Sequence, residues 1–468
     1  MFAARPFFGG LYMTQVLQML NQAVWGAPLL VLILGVGLYL SLLTNFSQLR
    51  FLPSALKSFW KSLVGKGEAS EGISPLQALC TALAATVGTG NIAGVAGAIA
   101  LGGPGAVFWI WVRAILGMMT KFTEATLSVH FRKKEADGSF SGGTMYLAEN
   151  GLGHKWKWLG VLYSFFGVVA AFGVGNATQV NAVIDSMHTA LASMGHQSSK
   201  WYDIFVGAAL AVLLDAVLLG GAKRVGKLSQ LLVPFASVVY LVLGIGVLLH
   251  NLERLPAAFG MIFTGVFQPK AVTGGLLGST MCAMRVGVSR GVFTNEAGMG
   301  TAGIAHASAQ VQHPAEQGLL GITEVFLDTI VICTMTALVI LCSGVNIPYG
   351  TDPGAALTIQ AFESVYGGWV SIALSLCLCC FAFATMLGWG YYGIQCARYL
   401  MGNRVKSGFV LLQAAAVVLS TLLGTGTIWL LADILNGLMA LPNLIAILLL
   451  SGVLCKLLGQ WLNPEANR

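Results

Sequence analysis

Eleven stretches of this sequence are apolar and long enough to cross a lipid bilayer, and that repetition limits the fold more than any other feature. They run at roughly 23–43, 75–101, 104–129, 158–184, 203–221, 228–250, 272–304, 318–345, 367–395, 408–425 and 428–458. A helix needs about 20 apolar residues to span the hydrocarbon core. Lipid offers no partners to backbone N–H and C=O groups, so each run must satisfy them internally as a helix. Only 9% of the residues are charged and 56% are hydrophobic, against about 25% charged in a soluble domain. The expectation is an all-α polytopic membrane protein with the lipid bilayer as its first partner. The runs continue to the C-terminal end and leave no room for a large soluble domain. A GxxxxGK[ST] phosphate loop is absent, which argues against a self-contained ATP-driven pump. HExxH is absent too, so the chain is not expected to be an enzyme, and no motif for nucleic acid occurs. The opening MFAARPFFGG has one Arg and no convincing cleavage site, and reads as no removable signal peptide.

Residues 44–74 mix Lys and Arg with Leu, Phe and Trp and are expected to lie on the membrane surface as an amphipathic helix. Lys and Arg accumulate in cytoplasmic loops. With the N-terminus outside, 17 of them fall in 44–74, 130–157, 222–227, 305–317, 396–407 and the tail counted with Lys456 at the end of the last run, against 4 in the outer segments. That asymmetry predicts an external N-terminus and a cytoplasmic C-terminus. Residues 1–74 then form an extra helix plus the surface segment. Five spans remain in 75–250 and five in 272–458. An odd number per half forces the second half to be inverted relative to the first, an arrangement of secondary transporters. The first span of each half carries a similar string, GTGNIAGVA at 88–96 and GMGTAGIA at 298–305.

Those strings sit where a membrane helix can least tolerate them. Gly88, Gly90, Gly94 and Gly97 interrupt the second run, with Thr86, Thr89 and Asn91 between them. Each glycine costs about 1 kcal/mol against alanine in a helix interior. A break at mid-membrane frees backbone groups that must line a cavity or bind something. The helix restarting near Thr89–Asn91 offers positive N–H groups to an anion such as a carboxylate. Carbonyls ending the preceding half, near Thr86 and Val87, suit Na⁺. The second break, FTNEAGMG at 293–300, offers the same two ends, with Asn295 and Gly298 inside it. The plain alternative is that the glycines serve close helix packing.

Polar residues elsewhere in the spans are functional candidates by default. Asn176 and Gln179 share a helical face; hydrogen bonds that merely hold the bundle together are the competing reading. Trp389 lies mid-span, as a pocket residue rather than an interfacial anchor. Arg113, Lys121 and Glu124 share one span, Arg285, Arg290 and Glu296 another, and Glu324 and Asp328 the next. Lys121–Glu124 and Glu324–Asp328 read as i,i+3 and i,i+4 pairs, structural charges near span ends in preference to a proton relay. Glu296, inside the second break, is expected to cap freed N–H groups of the following half-helix. His306 and His313 are expected in a cytoplasmic loop. The nine cysteines, including CLCC at 377–380, read as buried thiols.

GGPGAVFWIW at 102–111, together with GTGNIAGVA, FTNEAGMGTAGIAHA and FAFATMLGWGYYG at 381–393, resembles the blocks of the alanine or glycine:cation symporter family (sodium:alanine symporters). The resemblance covers about residues 20–455. It implies the leucine-transporter-type fold of the amino acid–polyamine–cation superfamily, with two broken helices in inverted five-helix repeats. It implies Na⁺-coupled uptake of a small neutral amino acid, alanine or glycine, across a bacterial inner membrane, a monomer being sufficient. It places the substrate on Thr89, Gly90 and Asn91, on Phe172, Asn176 and Gln179, on Asn295 and Gly298, and on Thr385 and Trp389. It places Na⁺ near Thr86, Val87 and Thr385. The second break reads TNEAGMGT where the resemblance expects serine at both ends. H⁺ coupling or a preference for glutamine is the alternative, and an ion channel is the competing reading from another class.

Overall fold

The computed structural model describes residues 8–64, 73–136, 138–193, 195–196, 198–268, 280–422 and 425–463. Apart from a two-stranded hairpin pairing Lys133–Lys134 with Phe140–Ser141, the regular elements described are helices. Eight are long and apolar enough to cross a bilayer, and a ninth span is a pair bent by 49°. That pair is α4 (Pro75–Thr86) and α5 (Gly90–Gly102), after α1 (Phe8–Val24), α2 (Ala27–Leu43) and α3 (Ser47–Val64). There follow α6 (Gly105–His130), α7 (His154–Ala192), α8 (Lys200–Leu218), α9 (Gly221–His250) and α10 (Leu255–Phe267). The later part holds α11 (Thr280–Asn295), α12 (Thr301–His306), α13 (Pro314–Ser343), α14 (Ala356–Tyr366), α15 (Val370–Met401), α16 (Lys406–Ser420), α17 (Thr425–Leu449) and α18 (Ser451–Leu462).

Two of the eleven expected runs take a shorter form than a full span. The run expected at 272–304 is, over its described part, the 16-residue α11 and the six-residue α12; residues 272–279 lie outside the described residues. Arg285 and Arg290 lower its hydropathy, and the break divides what remains. The run at 408–425 is α16, 15 residues long. The amphipathic surface helix is α3, whose Phe51 and Ala55 are buried while Trp60 and Val64 are exposed. It packs on the first part of α13, and the Phe51 ring meets Trp461 edge-on at 5.5 Å.

The core places the two broken helices against each other and against α6, α13 and α15, and a hydrogen bond joins the first of them to α7. Local sequence sets α4 firmly at its start. The Ser74 hydroxyl accepts from Gln77 N at 3.1 Å and Gln77 Oε1 accepts from Ser74 N at 3.2 Å, the reciprocal box that satisfies two orphan donors. The helix stops at Val87, whose backbone is extended (ψ 96°). Asn91 Oδ1 takes the N–H of Gly88 at 2.8 Å, and the chain restarts as a π-turn over Gly90–Gly94. Widened turns of this kind recur at functional sites, and two more lie close by, Gly173–Ala177 in α7 and Phe326–Cys333 in α13. Glycine also lets α15 approach α4: a methyl group on Gly388 would fall 2.8 Å from Ala85 Cβ and 2.9 Å from its backbone nitrogen, closer than real Cβ atoms come.

Candidate functional site

At the first break a small enclosed cavity is lined by Ala85, Thr86, Gly88, Thr89 and Gly90 from the broken helix. Val174 and Gln179 face it from α7, Phe293 and Glu296 from the second break, and Thr385 and Trp389 from α15. The structure therefore brings together Thr86, Gly88, Thr89, Gly90, Gln179, Glu296, Thr385 and Trp389 of the residues singled out in the sequence. Thr89 Oγ1 donates to Gln179 Oε1 at 3.1 Å. Gln179 Nε2 donates back across the π-turn to Val174 O at 3.2 Å and to Thr178 Oγ1 at 3.1 Å. A methyl on Gly88 would fall 2.6 Å from Thr385 Oγ1, so the Thr385 hydroxyl lies against the unwound stretch next to Thr86 and Val87. Trp389 is fully buried, and its Nε1 donates to Glu296 Oε1 at 2.7 Å. The free volume is about 10 Å³, about one water, so an amino acid enters only when these walls part.

The other residues singled out face elsewhere. Asn91 Nδ2 donates to Asp328 Oδ1 at 2.7 Å and to its carbonyl at 3.0 Å, which ties the break to the π-turn of α13. Asn295 Nδ2 donates to Thr329 Oγ1 at 3.1 Å, and its Oδ1 accepts from Ala297 N at 3.0 Å. Gly298 has φ +92°, a left-handed conformation open to glycine; its N–H goes to Glu124 Oε1 at 2.8 Å and its carbonyl accepts from Asn443 at 2.9 Å. Phe172 packs on Phe409, ring centroids 5.2 Å apart. Asn176 is fully buried in the α7 π-turn, outside the cavity lining, with no hydrogen-bond partner for its amide among the described residues. Val87 ends α4 and is buried beside the cavity without lining it.

Two larger hollows lie toward opposite ends of the broken helix. One, of about 470 Å³, is lined by Ala93, Gly94 and Leu101 with Arg290, Asp352 and Asp433. The other, of about 480 Å³, is lined by Ile73 ahead of α4, with Ser308, Tyr391, Arg398 and Lys406. A closed central cavity between two hollows can admit a ligand from either end.

A family model described as the sodium:alanine symporter family matches residues 11–468. The chain belongs to the sodium:alanine symporter family. It is 45% identical over 444 residues to the sodium/alanine symporter AgcS of Methanococcus maripaludis, covering 92% of this chain and 94% of that one. It is 36% identical over 445 residues to a probable sodium/glutamine symporter, GlnT, of Bacillus subtilis, covering 94% and 89%. Among solved structures, that of MhsT in complex with L-phenylalanine superposes with a TM-score of 0.59 at 14% identity, over 82% of this chain and 89% of that one. A manganese transporter mutant of Eremococcus coleocola superposes with a TM-score of 0.50 at 13% identity, over 82% and 76%. The fold of the symporter is thus of the leucine-transporter type.

Within the symporter, the buried charges pair across helices, not along them as the sequence spacing predicts. Lys121 Nζ reaches Glu324 Oε1 on α13 at 3.0 Å, not Glu124. Glu324 Oε2 meets His306 Nε2 at 2.9 Å, and His306 Nδ1 meets Gln317 at 2.7 Å. These residues are fully buried; they are not near span ends, and His306 is not a loop residue. Asp328 is held by Asn91 and Thr329, not by Glu324. The capping expected of Glu296 falls to another residue: Glu124 Oε1 accepts from Gly298 N at 2.8 Å and Gly300 N at 3.1 Å. Arg113 donates to the carbonyl of Ala297 in the same break. Glu296, with φ +52°, turns into the cavity and accepts from the Thr301 hydroxyl at 2.6 Å. Ala85, Val174 and Phe293 were not singled out as site residues. Phe293 abuts the TNEAGMG string, and Val174 precedes Gln179 by one helical turn and a bulge; only the α7 π-turn turns it inward.

Proposed function

We propose that this symporter carries alanine and glycine into the cell together with Na⁺, on the cavity between α4, α5, α7, α11 and α15. One observation carries the reading. The restarted helix end at Thr89–Gly90 faces Gln179, Thr385 and Trp389 around a single enclosed cavity. The N–H groups of such an end, aided by the helix dipole, suit a carboxylate. Gln179 then orients the substrate, and Trp389 closes over its side chain. Asn91, Asn295 and Gly298 act one step away, holding the shapes of the two breaks. Na⁺ takes oxygen ligands, and the end of α4 at Thr86 and Val87 beside the Thr385 hydroxyl supplies such oxygens. We read residues 75–250 and 272–458 as the two inverted repeats, in support of which each half opens on a broken helix.

The test is uptake into proteoliposomes. Labelled alanine is expected to accumulate on an imposed inward Na⁺ gradient and not without it. Uptake indifferent to Na⁺ but driven by a pH step moves the coupling to H⁺, and glutamine competing far better than alanine changes the substrate. The bias of the basic residues supports an external N-terminus and a cytoplasmic C-terminus in an inner membrane. An N-terminal tag on intact cells is expected to be labelled by an impermeant reagent, and a tag reached only after permeabilisation reverses that assignment.

A further inference from the structure

Glu296 is the one acidic or basic residue lining the central cavity. It is 2% exposed. Its two oxygens are held by neutral donors, the Trp389 indole at 2.7 Å and the Thr301 hydroxyl at 2.6 Å. Among the described residues it has no ion pair. The basic groups around it are engaged elsewhere: Lys121 with Glu324 at 3.0 Å, Arg290 with Asp352 at 3.2 Å, and Arg113 with the Ala297 carbonyl. A buried carboxylate with no cation in direct contact is costly. Each of its oxygens keeps a lone pair beyond the one hydrogen bond it accepts.

We propose that Glu296 is the counter-charge for the ammonium group of the transported amino acid. The assignment rests on the transport reading above and deepens it. A zwitterion leaving water needs both of its charges met. The Thr89–Gly90 helix end meets the carboxylate from the broken first helix, and Glu296 meets the ammonium from the second break. The two breaks thus divide the two charged groups of one small ligand. The indole fixes one carboxylate oxygen and Thr301 the other, so the acceptor is aimed before substrate arrives. Na⁺ has a separate oxygen environment at the end of α4. A fixed carboxylate in a closed cavity also disfavours ligands with a second negative charge, and it makes the α-amino group a condition of binding.

The test compares alanine with lactate, which carries a hydroxyl in place of the ammonium. The parent is expected to bind alanine at least about thirtyfold more tightly than lactate, the scale of losing one partner of a buried charge pair. Glu296→Gln keeps the acceptor for Trp389 but removes the charge. It should weaken alanine about thirtyfold and bring the two affinities to within a few-fold. Trp389→Phe removes the indole bond but leaves the charge, so the preference for alanine over lactate should survive. A parent that binds lactate as tightly as alanine overturns the assignment, and needs no variant to show it. So does a folded Glu296→Gln protein that keeps the parent's preference, or one whose loss lies in Na⁺ binding without substrate. A parent that takes up no amino acid on a Na⁺ gradient overturns the transport reading itself, an outcome distinct from these.

Discussion

Gly90→Leu is expected to lower alanine affinity tenfold to a hundredfold or more, while Gly94→Leu, one turn along the same half-helix, binds as the parent does. At Gly90 an added Cβ would lie 3.0 Å from Phe293 Cδ1, 3.3 Å from Cε1 and 3.4 Å from Thr294 Cγ2. The branched end of leucine then enters the cavity between Phe293 and the helix end that receives the carboxylate. Losing one charge-assisted hydrogen bond costs roughly 1.5–3 kcal/mol, the tenfold to hundredfold stated, before any steric cost. At Gly94 an added Cβ meets nothing within 4 Å, and the position borders the 470 Å³ hollow. Leucine is well tolerated in membrane spans and is a good helix former, so both proteins should insert. The measurements are alanine binding and thermal stability of the purified variants in detergent. A Gly90→Leu protein that binds alanine normally places the carboxylate elsewhere. Equal loss of stability in both variants, with normal binding by what remains folded, gives the glycines a packing role instead.

Lys121→Met is expected to destabilise the protein by about 3–5 kcal/mol, because it strands Glu324 in a fully buried site. Lys121 and Glu324 are both 0% exposed and 3.0 Å apart, linking α6 to α13, one of the most extensive helix contacts in the bundle. Glu324 keeps His306 as a neighbour at 2.9 Å, but a hydrogen bond from an imidazole does not replace a full ammonium charge. Replacing both partners, Lys121→Met with Glu324→Met, should restore part of the loss, since exchanging a buried pair for apolar groups of similar volume is often neutral while the buried His306 loses its acceptor. Unfolding of parent, single and double variants in one detergent gives the coupling directly. A single variant as stable as the parent refutes the pairing. A double variant that is stable but no longer transports assigns the pair to the transport cycle instead of to the scaffold.

Some of this was written plainly in the linear sequence. Hydropathy alone specified a polytopic helical membrane protein, because lipid leaves backbone groups no other partners. The interruptions were equally legible: Gly88 and Gly90, and Gly298 and Gly300, stand where a membrane helix loses most by having them. Their recurrence at the start of two five-span halves pointed to a broken-helix transporter. Gln179 and Trp389 could be drawn to the break because each is a polar or large aromatic group in the middle of an apolar run, whereas Thr385 came from the family resemblance. What the spacing could not say is which way a side chain turns once its helix widens or stops. Asn91 and Gln179 both stood out as polar residues within apolar runs, yet the π-turn at Gly90–Gly94 carries Asn91 round to Asp328 while the one at Gly173–Ala177 leaves Gln179 facing Thr89. The charges show the same limit. Periodicity pairs neighbours on one helix, Lys121 with Glu124 and Glu324 with Asp328, but in a low-dielectric interior the partner that wins is the one packing brings into contact. That is Glu324 for Lys121 and the N–H groups of Gly298 and Gly300 for Glu124. Glu124 thereby takes the capping role that chain proximity assigns to Glu296, and Glu296 is left to face the cavity. Burial marks such residues as consequential in any membrane span; only the crossing of α6, α13 and the second break decides what each of them holds.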